Sequence, residues 1–222
     1  MRPGRLLKTS GLLPALAVAA GALDAASYLG LGRVFTANMT GNTVLLGVAV
    51  ASGSAGSALR SVVALAGFCA GVALGSAFTA SREDWPRPAR GALAAESLVL
   101  AGLLGVWVLA GPTSTGVRYA LIALSAGAMG IQSAAARAAP LDGVATTFIT
   151  GTLTNAVGRA VKVIGSRAGE RPRSGEIVLP GVIWLIYGAG GLAGAMAQRW
   201  LSPWAAVIPL AIVSAVAAIA AR

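Results

Sequence analysis

The chain has 222 residues, of which 56% are hydrophobic and only 11% are charged, and its mean hydropathy is +0.78. A water-soluble domain carries about 25% charged residues, so these proportions exclude an ordinary soluble enzyme. The net charge of +10 would suit a nucleic-acid binder. Here the basic residues are scattered between apolar runs without interleaved aromatic side chains. We therefore expect no nucleic-acid partner and interpret the charge as the basic loops of a membrane protein.

The side chains of most metal sites and acid–base catalysts are absent. The sequence has no histidine and a single cysteine, Cys69, which lies in an apolar run and is expected to be buried and inert. There is no glycine-rich phosphate loop, and an intramembrane protease would need a second central aspartate beside Asp24. We therefore expect no enzyme activity, no cofactor and no metal.

Apolar runs follow one another along the chain. Arg2, Arg5 and Lys8 precede the first run, which resembles a signal peptide with small residues near Ala19 and Ala20. The run is long enough to span a membrane and more runs follow, so we expect an uncleaved first helix. The six clear spans are Leu12–Leu31, Ser61–Ala80, Gly91–Ala110, Val117–Arg137, Ile177–Gln198 and Pro203–Ala221. Two weaker segments, richer in Thr and Asn, are Thr36–Ser54 and Ala145–Gly165.

These runs predict an all-α fold, because helices satisfy their own backbone groups where no water is present. We expect a polytopic membrane helix bundle of about eight helical segments, forming one transmembrane domain over residues 1–222.

Three short matches in the same order indicate an internal repeat, with halves at about 11–111 and 117–221. The matched pairs are Ala20-Gly21-Ala22 with Ala126-Gly127-Ala128, Thr40-Gly41 with Thr150-Gly151, and Gly71 and Gly75 with Gly190 and Gly194. The members of these pairs are 106, 110 and 119 residues apart, so the three separations differ by only a few residues. Membrane transporters are commonly built from such repeats.

The two weaker segments decide the topology. If both cross the membrane, there are eight spans, the halves are parallel, and 11 basic residues lie inside against 6 outside. If both are re-entrant, there are six spans and inverted halves, and the basic residues divide 13 to 4, which the positive-inside rule prefers. Because each segment is nearly long enough to span, we favour eight crossing helices and keep the re-entrant alternative open.

Asp24 is the sharpest polar feature, because it lies inside the first apolar run and away from its charged flanks. A carboxylate at the centre of a membrane helix costs about 2.5–3.5 kcal/mol, and such residues usually mark ion or proton paths. We expect Asp24 to bind a proton or cation. The alternative is a structural carboxyl group bonded to Ser27, Tyr28 or a neighbouring helix. Glu96 lies nearer a span end, where we expect it to reach the interface.

Two matched polar segments, each containing Thr-Gly, complete the predicted site. A helix broken there would present backbone donors and acceptors to an ion or a small polar solute. With Asp24, the predicted substrate- or ion-binding residues are Asn38, Thr40, Gly41, Asn42, Gln132, Thr150, Gly151 and Thr152. The alternative is that Thr36, Asn38 or Thr40 simply caps the start of a helix.

Glycines recur at four-residue spacing in two spans. One row consists of Gly67, Gly71 and Gly75, and the other of Gly190 and Gly194. Because small residues at this spacing let helix backbones approach closely in lipid, we assign these five residues to helix packing.

Stretches in both halves resemble a known family, the YoaK-like bacterial membrane proteins. They are Ala20-Gly21-Ala22-Leu23-Asp24-Ala25, Val34-Phe35-Thr36-Ala37-Asn38-Met39-Thr40-Gly41-Asn42-Thr43, Gly130-Ile131-Gln132-Ser133 and Thr147-Phe148-Ile149-Thr150-Gly151-Thr152. That family is a domain of unknown function. The resemblance therefore implies a polytopic protein of the bacterial cytoplasmic membrane and supplies no substrate. It also implies that Asp24 and Thr40-Gly41-Asn42 are characteristic of the group.

The leading hypothesis is a small-solute or ion transporter, with a site near the midplane between the two halves and proton or cation coupling through Asp24. The alternative is a non-transporting membrane protein that assembles with a partner or binds lipid. The expected partners are the lipid bilayer and a small solute or ion, and association into a homo-oligomer is left open.

Overall fold

The computed structural model describes residues 3–80, 87–139, 146, 149–165 and 174–221, and these contain eight α-helices and no strand. The helices are α1 (Pro3–Gly30), α2 (Met39–Ala51), α3 (Ala55–Thr79), α4 (Arg87–Ala110), α5 (Thr115–Arg137), α6 (Ile149–Gly165), α7 (Ser174–Leu201) and α8 (Val207–Ala220). A single 3-10 turn, Trp204–Ala206, precedes α8. The predicted all-α membrane bundle of about eight segments is confirmed.

Five of the described helices are long and apolar enough to cross a membrane, namely α1, α3, α4, α5 and α7. The sixth predicted span is divided into the 3-10 turn and α8, which has 14 residues. The two weaker segments form α2, with 13 residues, and α6, with 17 residues. At about 1.5 Å per residue, α2 extends for about 20 Å, which is less than the hydrocarbon thickness of about 30 Å.

α1 and α7 pack closely in the same direction. A Cβ atom added at Gly190 would overlap the carbonyl oxygen of Val18, and one added at Gly194 would overlap that of Ala22. Because the contact moves forward along both helices together, the two helices are parallel.

α3 and α5 form a second parallel pair. A Cβ atom at Gly67 would come within 2.8 Å of the Ala123 carbonyl oxygen, and one at Gly71 would overlap that of Gly127. A Cβ atom at Gly75 would lie 2.9 Å from the backbone of Ile131. The three glycines therefore lie at the places where the two backbones come closest.

Contacts around the end of α1 fix the direction of the other helices. Gly30, the last residue of α1, packs against Gln198 near the end of α7 and Trp107 near the end of α4. Gly32, just beyond α1, faces the side chain of Arg60 near the start of α3. This end of the bundle, which we call the upper end, therefore holds the ends of α1, α4 and α7 and the starts of α3 and α5. The opposite end is the lower end.

Both short helices are re-entrant. α2 lies between the end of α1 and the start of α3, which are both at the upper end, and α6 lies between the end of α5 and the start of α7, at the lower end. The expectation that both segments cross is therefore wrong, and the re-entrant alternative describes the structure. Length was misleading because residues 36–38, counted as part of a span, form a loop that bonds to α1.

α1 and α5 lie at the centre of the bundle, since 67% of each span is buried, whereas only 17% of the α3 span is. Two expectations about burial are consequently wrong. Cys69 is exposed, because α3 turns much of its surface outward. Glu96 does not reach the interface: it is fully buried, and neither of its carboxyl oxygens has a hydrogen-bond partner among the described residues.

Candidate functional site

The Asp24 carboxylate joins three parts of the chain. On α1, where the residue is only 3% exposed, its Oδ1 accepts the backbone N–H groups of Thr36 and Ala37, both at 2.6 Å. Its Oδ2 accepts the Asn38 N–H at 3.1 Å and the hydroxyl hydrogen of Tyr187 on α7. All four contacts come from donors, which suits the acceptor-only oxygens of an ionised carboxylate. Asp24 thus holds the loop before α2 and a side chain of α7 together.

The tip of α2 is shaped by its own polar side chains. Asn38 Oδ1 accepts the Gly41 N–H at 3.1 Å, so Asn38 caps the helix, as the capping alternative predicted. Asn42 brackets Phe35, because its Oδ1 accepts the Phe35 N–H at 3.0 Å and its Nδ2 donates to the Phe35 carbonyl at 2.6 Å. The Phe35 ring stacks on Tyr28 with centroids 5.0 Å apart, and a Cβ atom at Gly41 would press on that ring at 3.0 Å.

Gln132 has a related position in the second half. Its Nε2 donates to the carbonyl oxygen of Leu16 at 3.0 Å and to Thr146 Oγ1 at 3.3 Å. It therefore connects α5 both to α1 and to the segment that leads into α6, as Asp24 connects α1 to the segment that leads into α2. Thr152 is buried behind the start of α6, and Thr147 lies outside the described residues.

The two re-entrant tips meet in one cavity of about 300 Å³. The first half contributes Ala37, Asn38, Met39, Thr40 and Phe68, and the second half contributes Ser133, Arg137, Ile149, Thr150 and Tyr187. Both the start of α2 and the start of α6 therefore face a shared space between the halves.

A second cavity of about 790 Å³ adjoins some of the same residues. It shares Phe68, Ser133 and Arg137 with the central cavity and follows α3 and α5 as far as Thr79 and Ala138, at the lower end of the bundle.

Three of the predicted site residues line the central cavity, namely Asn38, Thr40 and Thr150. The others support its walls: Asp24 lies behind the loop at 36–38, Gly41 and Asn42 shape the α2 tip, and Gln132, Gly151 and Thr152 lie in or beside the start of α6.

Sequence reasoning missed Phe68 and Tyr187. It considered Arg137, with Arg33, only as a candidate to pair with Asp24, whose bonds in the structure go to residues 36–38 and Tyr187 instead. A signal was present for the first two. Phe68 and Tyr187 lie 119 residues apart, the same separation as the matched glycines Gly71 and Gly190, and both face the central cavity. Arg137 had no such signal, because an arginine at a span end is ordinary in a membrane protein.

Comparison with known proteins agrees with the membrane architecture. The family model described as "Protein of unknown function (DUF1275)" matches residues 12–220. The chain is also similar to the UPF0700 transmembrane protein YoaK of Bacillus subtilis (strain 168), with 32% identity over 191 residues, covering 84% of this chain and 83% of the relative. No solved structure matches the chain. The chain is therefore a multi-pass membrane protein that belongs to the DUF1275 family.

Proposed function

We propose that the protein carries a small polar solute or ion across the membrane through the central cavity. The observation that carries the proposal is the meeting of two re-entrant helix tips, one from each half, in a single space. Transporters typically bind their substrates at such places, where broken helices present polar backbone and side-chain groups between repeats.

The pattern of helix contacts supports an inverted repeat of residues 11–111 and 117–221. Three of the contacts within or between the halves have counterparts: α1 with α7 corresponds to α5 with α3, α2 with α3 to α6 with α7, and α4 with α5 to α8 with α1. Two halves related in this way can exchange conformations, which is the usual basis of alternating access.

Asp24 would couple transport to a proton by holding the cavity walls rather than by touching the solute. Its four donors come from the loop before α2 and from Tyr187, which both line or adjoin the cavity. Protonation of Oδ2 would turn it into a hydroxyl donor, so the bond with the Tyr187 hydroxyl would have to reverse its direction and the bond from the Asn38 N–H would weaken. Arrival of a proton would thereby loosen the α2 tip and Tyr187 together.

The protein would work in the cytoplasmic membrane of a bacterium with its N-terminus inside. The division of basic residues supports this orientation, since 13 lie on the N-terminal side of a re-entrant topology and 4 on the other. The larger cavity would then face the cytoplasm.

The proposal can be tested by blocking the central cavity chemically and measuring the flux of solutes. In a Cys69→Ala background, Thr150→Cys would be treated with a bulky thiol reagent in proteoliposomes, and charge movement and solute uptake would be recorded for a panel of ions and small solutes. We expect the reagent to abolish flux through Thr150→Cys and to leave the exposed control Thr115→Cys active. If the unmodified protein moves no solute while a partner protein or lipid co-purifies with it, the non-transporting alternative replaces this proposal.

A further inference from the structure

We infer that the ligand of the central cavity is a small soluble anion, a carboxylate or an oxyanion. The inference deepens the proposed transport function by naming its substrate class, but anion binding itself can be measured without transport.

Arg137 is the main reason. It is exposed, lines both the central and the larger cavity, and makes no hydrogen bond or ion pair with another described residue. Ser133, one helical turn before Arg137 on α5, lines the same two cavities. None of the described residues that line the two cavities is acidic. The positively charged Arg137 side chain in this lining would attract an anion, and the geometry of a guanidinium group matches that of carboxylates and oxyanions.

The remaining polar groups of the central cavity are suited to donate. Asn38 uses its side-chain oxygen to cap Gly41, so its amide hydrogens are the part left for a ligand. Thr40, Ser133 and Thr150 add hydroxyl groups to the lining. The start of α6 faces the same space, and the positive end of a helix dipole favours negative charge.

Among the described residues, Asp24 is a carboxylate that bonds to a residue of the cavity lining, Tyr187, and its position does not make a cation site. A bound cation would need oxygen acceptors, whereas both Asp24 oxygens are already occupied by four donors and lie outside the cavity lining. The same donors offset its negative charge. The volume of about 300 Å³ is at the lower end for ligand pockets, which favours a small anion over a nucleotide.

Binding would be tested on the full chain in phosphatidylcholine nanodiscs, using sodium sulfate and sodium acetate as probes and choline as the cationic control, at constant ionic strength. Titration calorimetry and the thermal midpoint would give the affinity. We expect at least one anion to bind saturably and choline not to bind. Arg137→Gln should weaken anion binding at least tenfold, Arg137→Lys should weaken it less, and Arg90→Gln, an exposed arginine outside both cavities, should leave it unchanged.

Three results would overturn the inference. The first is no saturable binding of either anion, and the second is equal anion affinity in monodisperse Arg137→Gln and wild-type protein. The third is that neither soluble anion binds but phosphatidylglycerol added to the discs does, which would assign Arg137 to a lipid headgroup. The two proposals can fail separately. Anion binding without flux would remove transport and keep the anion site, whereas flux of a neutral or cationic solute without anion binding would do the reverse.

Discussion

Tyr187 on α7 donates its hydroxyl hydrogen to Asp24 on α1, across a separation of 163 residues in the chain. The tyrosine also lines the central cavity, whereas the aspartate lies behind it and holds the loop that leads into α2. A single carboxylate thus connects two walls of the cavity that belong to different halves. Any change in this pair should alter both walls together.

Replacing Tyr187 with Phe should lower the free energy of unfolding by about 1–3 kcal/mol, because it leaves a buried carboxylate oxygen with one partner fewer. Unfolding in mixed micelles of increasing SDS content would measure the change. The control is Tyr119→Phe, since Tyr119 is half-buried and makes no hydrogen bond with another described residue. Equal stability of the two variants would contradict the structural role of the Tyr187 hydroxyl.

Asp24→Asn should abolish proton-coupled flux. Asparagine keeps one acceptor oxygen and places an amide donor against N–H groups that are themselves donors, so the loop at 36–38 loses part of its attachment. Flux would be driven by an imposed pH gradient in proteoliposomes. Ser27→Ala is the matched control, because Ser27 contacts the same loop through a neutral 3.4 Å bond to Thr36. Full coupled activity of Asp24→Asn would remove Asp24 from the coupling mechanism.

Gly194→Ala should be destabilising by about 1–3 kcal/mol, the usual cost of overpacking a tight contact. The new methyl group would overlap the Ala22 carbonyl oxygen of α1, and neither backbone can move aside easily. Gly188→Ala, on the same helix but with nothing within 4 Å of the added atom, should be neutral or slightly stabilising. SDS unfolding of the pair gives the comparison, and a neutral Gly194→Ala would mean that α1 and α7 are farther apart than the structure has them.

Glu96→Leu should raise the free energy of unfolding by about 1–3 kcal/mol, because a buried polar group without a partner costs stability that an apolar side chain recovers. The side chain is fully buried and unpaired among the residues that the structure describes. The same SDS titration, together with a flux assay, checks this. Loss of flux in a stable variant would show that Glu96 has a functional role instead.

Thr113 and Arg90 should lie on opposite sides of the membrane, with Thr113 on the side away from the N-terminus. Thr113 follows α4 at the upper end, and Arg90 lies in the first turn of α4 at the lower end. In a Cys69→Ala background with an N-terminal epitope tag, an impermeant thiol reagent should label Thr113→Cys in intact cells. Arg90→Cys and the tag should be reached only after permeabilisation. Eight crossing helices would give the reverse labelling for both cysteines.

The sequence by itself determined that the chain lies in a lipid bilayer and that its fold is all-α. Too few charges and apolar runs of spanning length leave a helix bundle in lipid as the only way to satisfy the backbone. It also drew attention to Asp24 and to the two Thr-Gly segments, because polar groups are rare and costly in such runs. These inferences depend on composition and on local sequence pattern, and both can be obtained from a single sequence.

The tertiary structure decided what those residues do. Segment length allowed α2 either to cross or to return, and in the structure the loop before it, residues 36–38, is bonded to Asp24 on α1. The donors around Asp24, the cavity between the tips and the presence of Arg137 in its lining all arise from contacts between residues far apart in the chain. Such contacts follow from how the helices pack. Helix packing depends in turn on close backbone approaches such as that of Gly71 to Gly127. A pattern of glycines in the sequence allows such an approach but does not identify the partner helix.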